Sequence, residues 1–276
     1  MTKTKLIALD LDGTLLLPDK TMSARNRAAL DAAAAKGIVI VPATGRLFMA
    51  LPEFLRALPY VRYAIAVNGA QVYDGAEDRV LSRAEMPAAD AIALYDEMRA
   101  LGLGYDVYMD DRAYMDRRFY DSFEYFFPDD PHIVKMVRAV RTPIDDVYEM
   151  VRSEGRSVQK VQCFFPDAAQ RGALLEHFRK KFPHVAVSTS LPHNLEINSA
   201  QANKGDALLA LCAQLGIDPS ESVAFGDGDN DLAMIRAAGT GVAMANGDAA
   251  VLAAADAVTA SNLEDGVAQY IERFIL

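Results

Sequence analysis

Short apolar runs alternate with helix-like stretches over the first quarter of the chain. Residues 5–9 form an apolar run typical of a buried strand, and residues 37–42 form a second, β-branched run. Between them, residues 23–36 carry a serine at the N-cap position, an alanine-rich body and a following glycine, which predicts a helix. Residues 47–58 are predicted to be helical, and residues 63–67 to form a third strand. This alternation is typical of a parallel sheet with helices on both faces.

The end of the chain shows the same alternation of strands and helices. Helices are predicted over residues 204–215 and 231–238, and strands over residues 222–225, 241–245 and 255–259. Because both ends share this pattern, we expect them to build one α/β domain with a doubly wound parallel sheet of the Rossmann-like kind.

The middle of the chain differs from both ends. Aromatic and charged residues are more frequent there, and helix-like stretches alternate with strand-like ones, at residues 88–101, 105–109, 157–165 and 168–182. We predict an α+β cap domain over residues 84–189, inserted into a core domain made of residues 1–83 and 190–276.

Composition and charge narrow the classes of partner. Apolar residues make up 51% of the 276 positions, which is enough for one large or two ordinary domains. The net charge is −10, and an acidic surface repels nucleic-acid phosphates and anionic lipids, so we expect neither nucleic acid nor a membrane as a partner. No apolar run of about 18 residues lacks a charge, and no signal-peptide pattern is recognisable, so a cytoplasmic protein is expected.

Cysteine and histidine give no sign of a zinc site. Cys163 and Cys212 are far apart, in apolar segments typical of buried thiols in a reducing compartment. No CxxC pattern occurs, and none of the four histidines stands at metal-ligand spacing from another.

Two aspartates follow the first predicted strand, in the segment Leu9-Asp10-Leu11-Asp12-Gly13-Thr14. Ligands bind at the carboxyl ends of the strands in open α/β sheets. Burying two carboxylates there is costly unless a cation is present, and Mg²⁺, which prefers oxygen ligands, is the natural partner. A turn of solvated aspartates remains the alternative for this segment alone.

Three further segments carry polar residues at strand or helix ends. Thr44-Gly45-Arg46 follows the second strand, where a hydroxyl and N–H groups can bind an anion. Lys204 opens a helix, a position unfavourable for a cation unless anionic neighbours hold it there. Residues 44–46 could also be an ordinary turn, and Lys204 could be an ordinary surface lysine. Residues 226–231, Gly-Asp-Gly-Asp-Asn-Asp, form an acidic loop that lacks the twelfth-position Glu of a calcium-binding EF-hand.

The order of these motifs resembles the haloacid dehalogenase superfamily. Asp10-x-Asp12-Gly-Thr, Thr44-Gly-Arg, Lys204-Gly and Gly226-Asp227-x-x-Asn230-Asp231 occur in that sequence along the chain. Further stretches are similar to the Cof-type sugar-phosphate phosphatases within it, namely Asn68-Gly-Ala, Leu195-Glu-Ile, residues 241–246 and residues 262–267. In the middle third, the resemblance depends only on the position of the insert.

The resemblance implies a Mg²⁺-dependent phosphatase acting on small phosphate monoesters. Asp10 would be the nucleophile that forms an aspartyl phosphate, and Asp12 would protonate the leaving alcohol and then activate water. Thr44 and Lys204 complete the predicted catalytic set. The predicted substrate and phosphate ligands are Thr44, Gly45, Arg46, Asn68, Lys204 and Asn230. The predicted metal site comprises Asp10, Asp12 (through its backbone carbonyl), Asp227 and Asp231, the last of which could instead hold Lys204.

The cap is expected to close over the site and to select the substrate. Sugar phosphates lead as the expected substrates, followed by nucleotides and cofactor phosphates. Basic residues of the cap could bind a second anionic group or could be solvated surface charges: Arg117, Arg118, Lys135, Arg138, Arg141 and Lys160. A monomer or homodimer is expected.

Two other functions remain open at this point. A phosphomutase of the same superfamily would use the same Asp10 and Asp12 but would return the phosphoryl group to its product. A non-enzymatic, Mg²⁺-binding regulator phosphorylated on Asp10 would also have a doubly wound sheet with an acidic pocket. The large insert and the separate acidic loop at residues 226–231 argue against the regulator.

Overall fold

The structure is a computed structural model that describes residues 4–276. Part of the prediction about the N-terminus falls on Met1–Lys3 and lies outside the described residues. The strands are β1 (Leu6–Leu9), β2 (Val39–Pro42), β3 (Tyr63–Ala66), β4 (Gln71–Asp74), β5 (Arg79–Arg83), β6 (Gly104–Met109), β7 (Arg112–Asp116), β8 (Arg141–Ile144), β9 (Lys160–Phe164), β10 (Val185–Ser188), β11 (Asn194–Ser199), β12 (Ser222–Gly226), β13 (Thr240–Met244) and β14 (Ala257–Thr259).

Helices connect most of these strands. They are α1 (Ala24–Ala35), α2 (Glu53–Arg56), α3 (Ala88–Ala100), α4 (Arg117–Asp121), α5 (Pro131–Val140), α6 (Val147–Glu154), α7 (Arg171–Lys181), α8 (Lys204–Leu215), α9 (Leu232–Ala237), α10 (Ala249–Ala254) and α11 (Gly266–Phe274). Short 3₁₀ turns lie at Phe48–Ala50, Val67–Gly69, Phe123–Tyr125, Ala168–Gln170, Pro219–Glu221, Asp229–Asp231 and Asn262–Glu264. Within residues 4–276, none of the helices has both the length and the apolarity needed to cross a lipid bilayer.

The chain divides into two compact units. The first comprises Met1–Arg83 and Asn203–Leu276, and the second comprises Ala84–Ala202. The second boundary therefore lies after residue 202 and not, as predicted, after residue 189. The reason is that β11 pairs with β9 and β10 in the sheet of the second unit, a long-range pairing that the local pattern cannot specify.

The first unit contains a five-stranded parallel sheet in the order β14-β13-β12-β1-β2. Side chains of β1 alternate between its two faces: Ile7 and Leu9 pack in the cluster that includes α1 and α11, and Leu6 and Ala8 in the cluster that includes α8. Strands buried on both faces read as continuous apolar runs, which is why the sequence pattern located them. The predicted α/β fold with a parallel sheet is confirmed.

Two predictions for residues 47–67 are wrong in detail. Residues 47–58 do not form one helix, because Pro52 holds Leu51 in an extended conformation and α2 begins only after the proline. The predicted third strand, β3, does not join the parallel sheet as a full strand. It pairs with β4 in a separate antiparallel sheet of the order β3-β4-β5, and only an isolated bridge joins Ala43 to Ile65.

The second unit contains a six-stranded sheet in the order β10-β11-β9-β6-β7-β8. Its strands pair antiparallel except for β7 and β8. One face packs against α3, α6 and α7, where Leu94, Val151 and Phe178 meet Tyr105 and Cys163 of the sheet. Cys163 and Cys212 are both buried free thiols, as predicted.

Candidate active site

Three strand ends bring acidic and hydroxyl residues to one edge of the parallel sheet. In the register of β1 with its neighbours, Leu9 lies opposite Phe225 of β12 and Pro42 of β2. The residues that follow these strands therefore emerge side by side. Asp10 continues the ladder by donating its N–H to Phe225 O at 3.0 Å, and its side chain is almost fully buried.

Lys204 is the buried cation at the centre of the site. Its side chain is 0% exposed, and Nζ donates to Asp10 Oδ1 and to Asp231 Oδ1, each at 2.6 Å. Burial alone would lower the pKa of this ammonium, but the charges of Asp10 and Asp231 outweigh it and raise that pKa above its ordinary value. The two carboxylates thus offset the unfavourable helix dipole at the first residue of α8.

Local backbone geometry fixes where α8 begins. The Asn203 side chain accepts a hydrogen bond from Asp206 N at 2.8 Å and caps the helix. Gly69, with φ +93°, lies so close that a Cβ there would meet Asn203 O at 2.2 Å. Gly205 allows a similar approach to Ala233, which lets α8 pack against α9. These contacts explain why glycine follows the lysine.

The acidic loop after β12 is wrapped around the Asp231 carboxylate. Asp231 Oδ2 accepts hydrogen bonds from the N–H groups of Asp227 and Gly228, both at 3.0 Å. A Cβ at Gly226 would lie 2.5 Å from Cβ of Asp231, so the close turn requires glycine there. Both oxygens of Asp231 are therefore engaged, one by Lys204 and one by the loop.

Three carboxylates converge beside Lys204. Among residues 4–276, Asp10, Asp227 and Asp231 each offer an oxygen within 4.8 Å of the other two. Thr14 Oγ1 donates to Asp227 Oδ1 at 2.6 Å. Burial, followed by the charge of Asp231, raises the pKa of Asp10 to about 8 despite Lys204, and burial raises the pKa of Asp227 to about 6. Both shifts reflect the cost of burying carboxylates, and three carboxylates lie beside one ammonium group.

The Asp12 carboxylate points away from that cluster toward two cations. Arg46 Nη2 donates to Asp12 Oδ1 at 2.7 Å, and Lys20 Nζ donates to the same oxygen at 2.8 Å. Burial opposes ionisation of Asp12, but Arg46 and Lys20 outweigh it and lower the pKa of this carboxyl. Its side chain stays 40% exposed, so a bound molecule or solvent can reach it.

A left-handed backbone segment places Asn68 beside the Thr44 loop. Val67, Asn68 and Gly69 have φ values of 51°, 57° and 93°, which is strained for the β-branched Val67. Asn68 N donates to Thr44 O at 3.0 Å, and Asn68 Oδ1 accepts from Asn230 Nδ2 at 3.4 Å. Buried Thr44 and Asn68 therefore lie together, and Asn230 borders them.

The family that these residues indicate is also found by comparison of the whole chain. Residues 7–271 match the family model of the haloacid dehalogenase-like hydrolases. The chain belongs to this family. Pyridoxal phosphate phosphatase YbhA of Escherichia coli is 33% identical to this hydrolase over 276 residues, covering 97% of each chain. The 5-amino-6-(5-phospho-D-ribitylamino)uracil phosphatase YcsE of Bacillus subtilis is 30% identical, covering 99% of this chain and 96% of its own.

A solved structure agrees with these matches. A haloacid dehalogenase-like hydrolase from B. subtilis superposes with a TM-score of 0.81 at 29% identity, covering 98% of this chain and all of its own. The predicted family and its enzyme class, a phosphoric monoester hydrolase, are confirmed.

The structure of this hydrolase gathers the predicted site residues into three groups. Asp10, Lys204, Asp227 and Asp231 form the buried cluster, and Asp12 pairs with Arg46 nearby. The third predicted group, Thr44, Gly45, Asn68 and Asn230, forms the adjoining loop contacts.

Three neighbours of the site were not predicted. Thr14 and Asn246 stand in the motifs that carry the resemblance, and Asn246 Nδ2 donates to Gly13 O at 2.9 Å, so the motif positions could have indicated both. Lys20 had no such signal, because it reaches Asp12 only through the turn at Leu17–Thr21.

Proposed function

We propose that this hydrolase cleaves small phosphate monoesters through an aspartyl phosphate on Asp10, with Mg²⁺ as cofactor. The observation that carries the proposal is the buried Lys204 ammonium shared by Asp10 and Asp231 at the carboxyl end of the parallel sheet. A carboxylate held in place by a cation can attack phosphorus, and the same cation offsets the charge of the phosphoryl oxygens.

The donor set of the acidic cluster fits Mg²⁺. Three carboxylates face one ammonium group, so the ionised cluster carries two uncompensated negative charges, which a divalent cation would neutralise. Asp10 and Asp227 would hold the ion together with the backbone carbonyl of Asp12. Asp231 would position Lys204 and the loop rather than bind the ion, since both of its oxygens already accept hydrogen bonds. The bound ion would supply Lewis-acid stabilisation of phosphoryl charge.

The chain's own residues would perform the proton transfers. Asp10 displaces the alcohol from phosphorus, and Asp12 protonates the departing oxygen. Asp12 then removes a proton from the water that hydrolyses the aspartyl phosphate. Arg46 and Lys20 would hold the Asp12 carboxylate in position between these two steps. Thr44, Asn68 and Asn230 would orient the phosphoryl group.

The names of two relatives support a substrate class for this proposal. The two phosphatases described above are named for pyridoxal phosphate and for a phosphorylated ribitylamino compound. Both are small monoesters of a primary alcohol, so we propose a substrate of this size, with sugar phosphates first.

Multiple turnover of p-nitrophenyl phosphate with Mg²⁺ tests the proposal. A phosphatase releases more than one equivalent of inorganic phosphate per chain. A phosphomutase would instead isomerise a sugar phosphate without releasing phosphate, and a regulator would stop after one stable phosphorylation. Either result would contradict the proposed reaction.

Replacing Asp227 is expected to weaken the response to Mg²⁺. Asp227→Asn removes a carboxylate oxygen from the cluster, so the Mg²⁺ concentration for half-maximal activity should rise about 10- to 100-fold, and EDTA should abolish the activity of the wild type. Asp229→Asn, an exposed acid in the same loop, is the matched control and should titrate like the wild type. Equal Mg²⁺ responses for the two variants would remove Asp227 from the proposed site.

Removal of the N-cap hydrogen bond of α8 should lower activity by more than the loss of stability explains. Asn203→Ala loses the hydrogen bond to Asp206 N, which costs about 1 kcal/mol, and it loosens the backbone that carries Lys204. We expect kcat to fall on the order of tenfold. Ser23→Ala removes the equivalent cap from α1, so it should destabilise the protein equally in urea unfolding and leave kcat unchanged. A kcat of Asn203→Ala equal to that of the wild type would show that the start of α8 tolerates this change.

A further inference from the structure

The backbone turn after β1 carries Asp12 and bends at a glycine. Gly13 has a φ of +90°, and a Cβ there would lie 2.3 Å from Asp227 Oδ2, so this turn requires glycine. Leu15 N donates to Asp10 O at 3.3 Å, a bond that closes the turn around Asp12 and Gly13. Because glycine restricts its own backbone less than any other residue, contacts from outside the turn help to set the direction of the Asp12 carbonyl.

Asn246, in the loop after β13, supplies such a contact. Its Nδ2 donates to Gly13 O at 2.9 Å, and its Oδ1 accepts from Asn262 N at 3.0 Å. These partners fix the orientation of the amide, because a carbonyl can only accept a hydrogen bond and a backbone N–H can only donate one. The Asn262 side chain donates in turn to Leu16 O at 2.9 Å. The turn after β1 is therefore held at two points by asparagines from the end of the chain.

The loop that contains Asn246 also supports the acidic loop after β12. Asp248 N donates to Asp227 O at 2.8 Å. Gly247 lies between the two donors, and a Cβ there would lie 3.2 Å from both Cα and O of Asp227. Residues 246–248 thus contact the backbone on both sides of the proposed metal site, which are the turn that carries Asp12 and the loop that carries Asp227.

We propose that Asn246 is a positioning residue for the metal site, which acts through Gly13 on the direction of the Asp12 carbonyl relative to Asp227. The Asn246 side chain is uncharged and bonds two backbone atoms, so it acts through the loops and not on the reacting atoms. Residues that orient metal ligands contribute factors of about 10 to 100 to metal affinity. This inference rests on the proposed Mg²⁺-dependent phosphatase and adds to it a residue outside the acidic cluster.

Asn246→Ala tests the inference, because it removes both hydrogen bonds of an exposed side chain and leaves the acidic cluster intact. Mg²⁺ binding is measured without substrate, by isothermal titration calorimetry and by the rise in thermal midpoint at a fixed Mg²⁺ concentration. We expect the dissociation constant for Mg²⁺ to increase about tenfold, and the rise in thermal midpoint to shrink accordingly. Turnover of p-nitrophenyl phosphate at limiting Mg²⁺ should fall in proportion, and excess Mg²⁺ should recover most of it.

The matched control is Gln269→Ala. Gln269 is likewise an exposed amide that donates to a backbone carbonyl, Glu264 O, at 2.6 Å. That carbonyl belongs to the 3₁₀ turn Asn262–Glu264, so the control perturbs the same region without removing the bond to Gly13. Both variants should lose a similar few degrees of thermal midpoint in EDTA, and only Asn246→Ala should bind Mg²⁺ more weakly.

Three outcomes would contradict the inference. Equal Mg²⁺ affinities for Asn246→Ala and the wild type would overturn it and leave the phosphatase in place. Equally weakened Mg²⁺ binding in Asn246→Ala and Gln269→Ala would do the same, because the loss would then come from general loosening of the fold. A wild type that neither binds Mg²⁺ nor releases phosphate would overturn the proposed function and this inference together.

Discussion

The Asp10→Asn variant is expected to lose phosphatase activity by on the order of 10⁴-fold or more while remaining folded. The amide keeps the shape of the carboxylate but cannot form an acyl phosphate, so the covalent route is closed. The fold should tolerate the change, because burial and then the charge of Asp231 raise the pKa of Asp10 to about 8, and the neutral amide avoids burying that charge. The thermal midpoint in EDTA should therefore equal or exceed that of the wild type.

The measurement is kcat/KM on p-nitrophenyl phosphate, with phosphorylated protein trapped by rapid acid quench. The wild type should show transient label on Asp10, and the variant none. Asp19→Asn changes an exposed carboxylate in the same connection after β1, whose oxygen accepts hydrogen bonds from Thr21, and it should behave like the wild type. Near-normal turnover by Asp10→Asn would show that hydrolysis does not pass through this residue.

Lys204→Met is expected to reduce kcat/KM by about 10²-fold or more and also to destabilise the protein. Methionine fills the buried space but leaves Asp10 and Asp231 without their shared cation. Removing one member of a buried ion pair costs about 3–5 kcal/mol. Part of that loss should be recovered on addition of Mg²⁺, since a divalent cation at the cluster would replace the lost positive charge.

Urea unfolding with EDTA or with Mg²⁺ measures the loss of stability of Lys204→Met, and steady-state kinetics measure its loss of kcat/KM. Lys5→Met is the matched control, because Lys5 is half-exposed and its salt bridge to Glu221 lies at the opposite end of the strands. Exposed salt bridges contribute little, so this variant should keep its activity and stability. A Lys204→Met protein with wild-type kinetics would exclude the lysine from phosphoryl transfer.

The pattern of neighbouring residues predicted core elements correctly where a helix cap or an apolar run marked their ends. As predicted, Ser23 is the N-cap of α1 and Gly37 follows its C-terminal end. The apolar run at residues 5–9 contains β1. Residues 47–58 do not form the predicted helix, because Pro52 excludes a helical conformation at Leu51 despite the helix-forming composition around it.

The pairing of strands that are distant in sequence could not be predicted from the pattern of neighbouring residues. β11 alternates apolar and polar residues, as an edge or inner strand of either unit could. Its partner β9 lies about thirty residues away, and Leu195 and Ile197 of β11 share an apolar cluster with Cys163 of β9. The domain boundary moved from 189 to 202 for this reason.

The motifs alone predicted which residues come together: Asp10, Asp12, Thr44, Lys204 and Asp227 stand at strand and helix ends, and parallel strands bring such ends to one edge. Only the tertiary structure decided how the charges divide. It pairs Lys204 with Asp10 and Asp231, and it turns Asp12 to Arg46 and Lys20. Such pairings depend on side chains distant in sequence, whose separation and burial arise only when the chain is packed.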